Sequence, residues 1–348
     1  MSCTERVIFM VVAGALLAAA PACAGGDDGG GSKGIPTVRP LLLPLAGPLA
    51  DPVAEVSGMT WRGDTLVIMP QFPDLFADEG LMGFFAFSKQ EILDALDDEG
   101  RNPLQPHLVL CRGPGLLGIV RGFDGLEAMC CIGQRFYMTV EAKDDTVMAG
   151  YLVSGQFDMV DGVVVMDMTR MSSIPMGLNI PNIAEETIII DGQRVITISE
   201  ANGLNINPAP KAKVFNADAE FTGLLPMPQI EYRVTDATAL DSDRRFWVIN
   251  YYYPPEREKL DPAPDPELAR FGDPASFDPD RCIERLLELQ LTADDRIIRT
   301  DTPPLNLELL PDGKCRNWEA VVRLDDRGFL LMTDKYPGTL LAFVPFPE

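Results

Sequence analysis

Five stretches of the chain share one grammar: SGMTWRGDTLVIMPQ (57–71), EAMCCIGQRFYMTVE (127–141), ETIIIDGQRVITISE (186–200), DATALDSDRRFWVIN (236–250) and EAVVRLDDRGFLLMTD (319–334). Each opens on a short polar or acidic residue, passes through strand formers, turns, and meets a second polar residue 14 or 15 positions on. The turns fall at Arg62-Gly63-Asp64, Gly133-Gln134, Asp191-Gly192, Ser242-Asp243 and Asp325-Asp326, where Gly or Asp supplies the backbone angles of a tight hairpin. Two antiparallel strands of equal length bring the chain back to the level it left, so the two polar residues share one end of the hairpin. Repeats of this size mean a solenoid or a propeller. The expected fold is all-β, a five-bladed β-propeller, with a degenerate sixth blade between Lys89 and Gly122 or within 200–230 as the alternative.

The material between the repeats supplies outer strands, expected at Met82–Phe87, Leu108–Cys111, Met148–Val153, Val163–Met168, Lys213–Phe215, Ile283–Leu291 and Leu340–Val344. Ser88 followed by Glu91 is a capping box and predicts a short helix from Lys89 to Asp98. The proline-rich, charged segment from Pro254 to Asp280 reads as a loop that covers a mouth or hangs free. The strand-like start, Val38 to Leu45, is expected to pair at the edge of the last blade and close the ring.

In a propeller the innermost strands line a channel, and residues at equivalent strand ends form a ring. That ring is Ser57, Glu127, Glu186, Asp236 and Glu319, with Gln71, Glu141, Glu200, Asn250 and Asp334 as a second tier. Converging carboxylates raise one another's pKa values unless a cation joins them. Calcium, with its loose oxygen geometry, is the expected cofactor. Lys143 and Lys335, just beyond the second-tier acids, and Arg257 are candidates to orient a phosphate.

The segment Asn317-Trp318-Glu319-Ala320-Val321 with Leu330-Leu331-Met332-Thr333-Asp334 resembles the N-x-E-G-L…SD segment of phytase-like (esterase-like activity of phytase) propellers. Gly58, Glu127 and Asp236 sit in similar frames, so the resemblance spans residues 55–348. The pattern is also similar to that of the five-bladed calcium-activated nucleotidases, or apyrases. There one Ser or Glu per blade holds a central calcium, which implies that role for Ser57, Glu127, Glu186, Asp236 and Glu319. The chain departs from the nucleotidases at Met69-Pro70-Gln71-Phe72-Pro73, which replaces an acidic, arginine-containing phosphate-site segment.

The chain of 348 residues carries a net charge of −23, from 52 acids and 29 bases. Such a surface repels nucleic acid and anionic lipid. A hydrophobic content of 46% is ample for a packed core. Arg6 followed by the apolar run Val7 to Ala20 predicts a signal peptide over residues 1–22. Cys23 then reads either as a lipidated bacterial lipobox cysteine or as part of an Ala22-Cys23-Ala24 cleavage site. Residues 25–32, glycine and aspartate rich, read as a flexible tether, so 23–35 is the anchor and linker and 36–348 the propeller domain. The expected location is the outer membrane or periplasm of a bacterium, as a lipoprotein, or secretion as the alternative.

Beyond Cys23 lie Cys111, Cys130, Cys131, Cys282 and Cys315. Export permits disulfides, with Cys282–Cys315 across an excursion and Cys111 with Cys130 or Cys131 as the candidate pairs. No CxxC spacing points to zinc or redox chemistry. His107 is the single histidine, and neither a G-x-S-x-G nor a P-loop is present. Tyr251, Tyr252 and Tyr253 form either a binding wall or edge packing. The sequence therefore predicts a monomeric, calcium-centred binding module for an envelope partner. The alternative is a calcium-dependent hydrolase of a small phosphate ester.

Overall fold

The computed structural model describes residues 35–78, 80–112, 119–160 and 163–346. The expected leader, Cys23 and tether lie outside them. Strand formers at alternating positions build hairpins that are apolar on both faces, because each sheet is sandwiched between two others. Leu66 and Ile68 point into one core with Ala320, Leu330 and Leu341, whereas Val67 and Met69 point into the next with Leu126, Phe136 and Met138. The same device places Ile196 and Ile198 against Phe246 and Val248, and Trp247 and Ile249 against Val321 and Phe329. A further core joins Tyr137 and Leu152 to Ile188 and Val195.

The inner strands close a cycle. Val56–Arg62 contacts Phe123–Ile132, which contacts Glu185–Asp191, then Ile230–Ala237, then Trp318–Leu324, which returns to Val56–Arg62. A closed round of inner strands with sheets radiating from it is a β-propeller. Hydrogen bonding divides the strands into four sheets, of eight, four, seven and four strands, rather than one sheet per repeat. The eight-stranded sheet arises because the outer strand His107–Arg112 pairs in parallel with Val163–Ile174, which ties together the meanders of the first two repeats. Among the described residues neither candidate stretch for a sixth blade forms a separate sheet. Residues 89–97 are helical, and the strands within 200–230 complete neighbouring sheets.

The ring is stapled by strands from its two ends: Leu41–Leu43 runs antiparallel to Leu341–Pro345, with Leu43 opposite Leu341. The capping box is present, with Ser88 and Glu91 starting the helix Lys89–Asp97. The proline-rich segment is more ordered than a loop. It forms short helices at Arg257–Leu260 and Pro266–Phe271 and is pinned from both sides. Asp265 accepts two hydrogen bonds from Arg285, at 2.7 and 3.1 Å, and Arg299 grips Glu267. The Cys282–Cys315 disulfide fastens its far end. Cys130 and Cys131 keep their thiols, so no bond from Cys111 to either is made.

Candidate functional site

The polar residue that opens each repeat is the extra residue of a β-bulge. Val56 pairs with Pro70 and Gly58 with Met69, leaving Ser57 unopposed. Glu127 is skipped in the same way between Leu126 and Ala128, Glu186 between Glu185 and Thr187, and Glu319 between Trp318 and Ala320. In the fourth repeat the shift takes in Thr235 and Asp236. A bulged residue leaves the pleat and its side chain is re-aimed. Repeated around a closed ring, one local irregularity converges a set of polar side chains.

Ser57, Glu127, Glu186 and Glu319 line a single cavity of ≈ 690 Å³, and from the second tier Gln71, Glu141 and Asp334 join them, with Lys335. The others do not reach it. Asp236 is turned aside, its Oδ2 accepting the Val321 N–H at 2.7 Å. Glu200 is taken up by Arg233. Asn250 donates to the Glu231 and Arg233 carbonyls and accepts from Arg285. Lys143 is exposed away from the cavity, and Arg257 points outward from its helix while its neighbour Glu256 lines the wall. Lys335 leans on Glu55, at 3.4 Å. His107 is a surface residue bonded to Glu91 at 2.8 Å.

Burial is the main influence on the cavity acids. It pushes Glu141 up to about 7, reinforced by Glu186 and Asp124. Glu186 is likewise pushed up to about 7 by burial, although Arg233 and Lys259 pull it back. Glu127 and Glu319 are also raised well above the usual carboxylate range, by burial and then by their carboxyl neighbours. Glu186 and Glu319 share a hydrogen bond. Gln71 donates to Glu127 at 3.3 Å. Three buried carboxyl oxygens in this cavity, Glu141 Oε1, Glu186 Oε2 and Asp334 Oδ1, have no hydrogen-bond partner.

The sequence reading missed Arg233 and Glu256. Arg233 holds Glu256 with two bonds, at 2.6 and 2.5 Å, and grips Glu200 on its other side. Burial opposes the charge of Glu256, yet Arg233 and Lys259 hold its carboxyl below the usual range. Lys259 also donates to the Asn182 carbonyl at 3.1 Å, tying the proline-rich segment across the mouth. An arginine three places before Asp236, in a strand whose neighbours are all buried, was a readable signal. Glu256, in a stretch without periodicity, gave none.

These donors do not fit a calcium ion as they stand. Asp236 is bonded to the backbone, Glu186 and Glu319 are bonded to each other, and among the described residues no group of three or more His, Cys, Asp or Glu side chains is arranged to hold a metal ion.

No protein-family model matches the chain, and no curated protein does. Several solved structures share its outline. One is described as belonging to the GH130 family of mannoside phosphorylases, containing glycoside hydrolases that target beta-1,2 mannosidic linkages in Candida mannan. It is 9% identical, with a TM-score of 0.45, over 92% of this chain and 95% of that one. A putative glycoside hydrolase from Parabacteroides distasonis is 11% identical, with a TM-score of 0.46, over 94% and 98%. A thermostable family-43 glycoside hydrolase is 12% identical, with a TM-score of 0.47, over 87% and 91%. At these identities the likeness assigns no activity to this chain.

The expected resemblance to phytase-like and apyrase-like propellers is corrected: the solved structures found similar to the chain are described as glycoside hydrolases. The calcium-centred binding module and the calcium-dependent phosphoester hydrolase fall with it. The donor arrangement does not suit the ion.

Proposed function

We propose that the cavity binds a neutral oligosaccharide and hydrolyses a glycosidic bond, with Glu141 and Glu186 as the acid and base. The observation that carries this reading is the trio of buried, partnerless carboxyl oxygens on Glu141, Glu186 and Asp334 around one opening. An unpaired buried acceptor costs about 1–3 kcal/mol, so such a site favours a ligand rich in donors. Sugar hydroxyls are donors without charge. Six acids line the wall, and the cations beside them are already committed, Arg233 to Glu200 and Glu256, Lys314 to Asp312 and Lys335 to Glu55, which disfavours an anionic substrate.

Two adjacent buried carboxyls do not both ionise near neutrality, so one keeps its proton while the other is charged. The protonated member delivers its proton to the glycosidic oxygen as the C–O bond breaks. The ionised member takes a proton from the water that attacks the anomeric carbon. The hydrogen bond with Glu319 lowers the basicity of the Glu186 carboxylate.

The propeller has five blades, the eight-stranded sheet counting as two; in support, it is made of two meanders whose strand order is made continuous by the pairing of their outermost strands. The chain works outside the reducing cytoplasm, a reading supported by the Cys282–Cys315 disulfide.

The test is release of reducing sugar from arabino-, xylo-, manno- and cello-oligosaccharides. Activity is expected on at least one class, with Glu141→Gln and Glu186→Gln each lowering kcat by about 100-fold or more while oligosaccharide binding persists. Turnover of none of the four, or full activity in both variants, overturns the assignment.

A further inference from the structure

The cavity is graded in character from floor to rim. Its floor is anionic and buried: Glu127, Glu141 and Glu186 are each 7% exposed or less. At the rim stand two tyrosines from different sheets, Tyr253 and Tyr336, 43% and 44% exposed. The run of three tyrosines divides by role. Tyr252 is fully buried and donates its hydroxyl to the Pro279 carbonyl at 2.8 Å. Tyr251 is buried beneath Tyr253, their rings within 8° of parallel and 6.5 Å apart. Tyr253 alone of the three presents a ring to solvent.

Both rim rings stand on fixed backbone. Tyr253 directly follows the strand Arg245–Tyr252 and caps the helical turn Pro254–Glu256, which Arg233 anchors through Glu256. Tyr336 lies in a short turn whose carbonyl accepts the Asn317 N–H at 3.1 Å, and that turn is clasped by Thr333, which bonds Gly338 O and Leu340 N at 2.7 and 2.8 Å. Exposed, preset aromatic faces above a floor of hydrogen-bond acceptors match a ligand that is apolar on one face and hydroxylated at its edges.

We infer that Tyr253 and Tyr336 are specificity residues that stack on sugar rings at the mouth, so that the ligand is a neutral oligosaccharide held across more than one ring. This deepens the glycosidase reading and rests on it for the ligand class. A tyrosine cage over acids also suits a quaternary ammonium ion, and the experiment decides between the two.

Tyr253→Ala and Tyr336→Ala are measured beside Tyr253→Phe and Tyr336→Phe, for both KM and Kd on the four oligosaccharide series, with choline as competitor. Direct binding is measured in the Glu141→Gln background. Each alanine variant is expected to raise KM and Kd about three- to tenfold with kcat within about twofold of the parent, while each phenylalanine variant keeps both. Oligosaccharide binding that depends on the two rings, without any turnover, supports this inference and sinks the hydrolytic reading alone. Turnover that ignores both alanine changes sinks this inference alone. A phenylalanine loss as large as the alanine loss, displacement of sugar by choline, or no oligosaccharide binding at all also overturns it.

Discussion

At the scale of single residues, the cavity trades stability for chemistry. Burial pushes both Glu141 and Glu186 up to about 7 in the folded protein, from an ordinary value of 4.5. Between those two pH values the folded state holds more protons than the unfolded one, so stability falls as pH rises across that window. Glu127 and Glu319 are shifted in the same direction and strengthen the trend. The unfolding free energy read from urea titrations is expected to fall from pH 5 to pH 8, by an amount on the order of a few kcal/mol in total. The slope should shrink in a Glu141→Gln, Glu186→Gln double variant. A flat profile in the parent, or an unchanged slope in the double variant, refutes the claim that these carboxyls are held protonated. Arg233 limits the cost, since its guanidinium keeps Glu200 and Glu256 paired and draws Glu186 downward.

At the scale of elements, the hairpin with a bulge at its first strand is the unit that makes the site. Gly125 shows how tightly that unit is fitted. It precedes the Glu127 bulge at φ +156°, and a Cβ there would lie 2.6 Å from both the Gln71 Cγ and the Glu127 Oε1. Gly125→Ala is therefore expected to displace Glu127 and Gln71, costing about 1–3 kcal/mol and lowering turnover, as read from urea midpoints and sugar release. A variant matching the parent in both would show the bulge to be looser than described. The hairpins themselves were legible in the sequence because turn residues and alternating apolar positions recur at fixed spacing. The opening residues Ser57, Glu127, Glu186 and Glu319 were legible for the same reason, since their common cavity follows from their common place in the repeat. Asp236 occupies the same place, but its bulge takes in an additional residue and its carboxylate finds the Val321 N–H. Nothing local in the sequence distinguishes that outcome. The parallel pairing of His107–Arg112 with Val163–Ile174 was also out of reach, because it depends on how two outer strands meet in space.

At the scale of the whole molecule, closure decides whether a terminal strand frays. In an open array of repeats the first strand contacts one neighbour and opens at little cost. Here Leu41–Leu43 is hydrogen-bonded to Leu341–Pro345, and Leu43 is buried in the core that joins the first repeat to the last. Opening that strand uncovers the edge of the final sheet and loosens a junction where the two ends of the ring meet. Leu43→Ala should therefore behave as a mid-core truncation and not as a terminal one, costing about 2–5 kcal/mol, comparable with Leu330→Ala from the same core. The measurement is urea unfolding followed by tryptophan fluorescence, aided by Trp61 and Trp318, which lie on the two inner strands beside the junction. A single transition shifted equally in both variants supports closure through this strand. A separate early transition in Leu43→Ala, or a cost below about 1 kcal/mol, would mean that the ring holds without its staple.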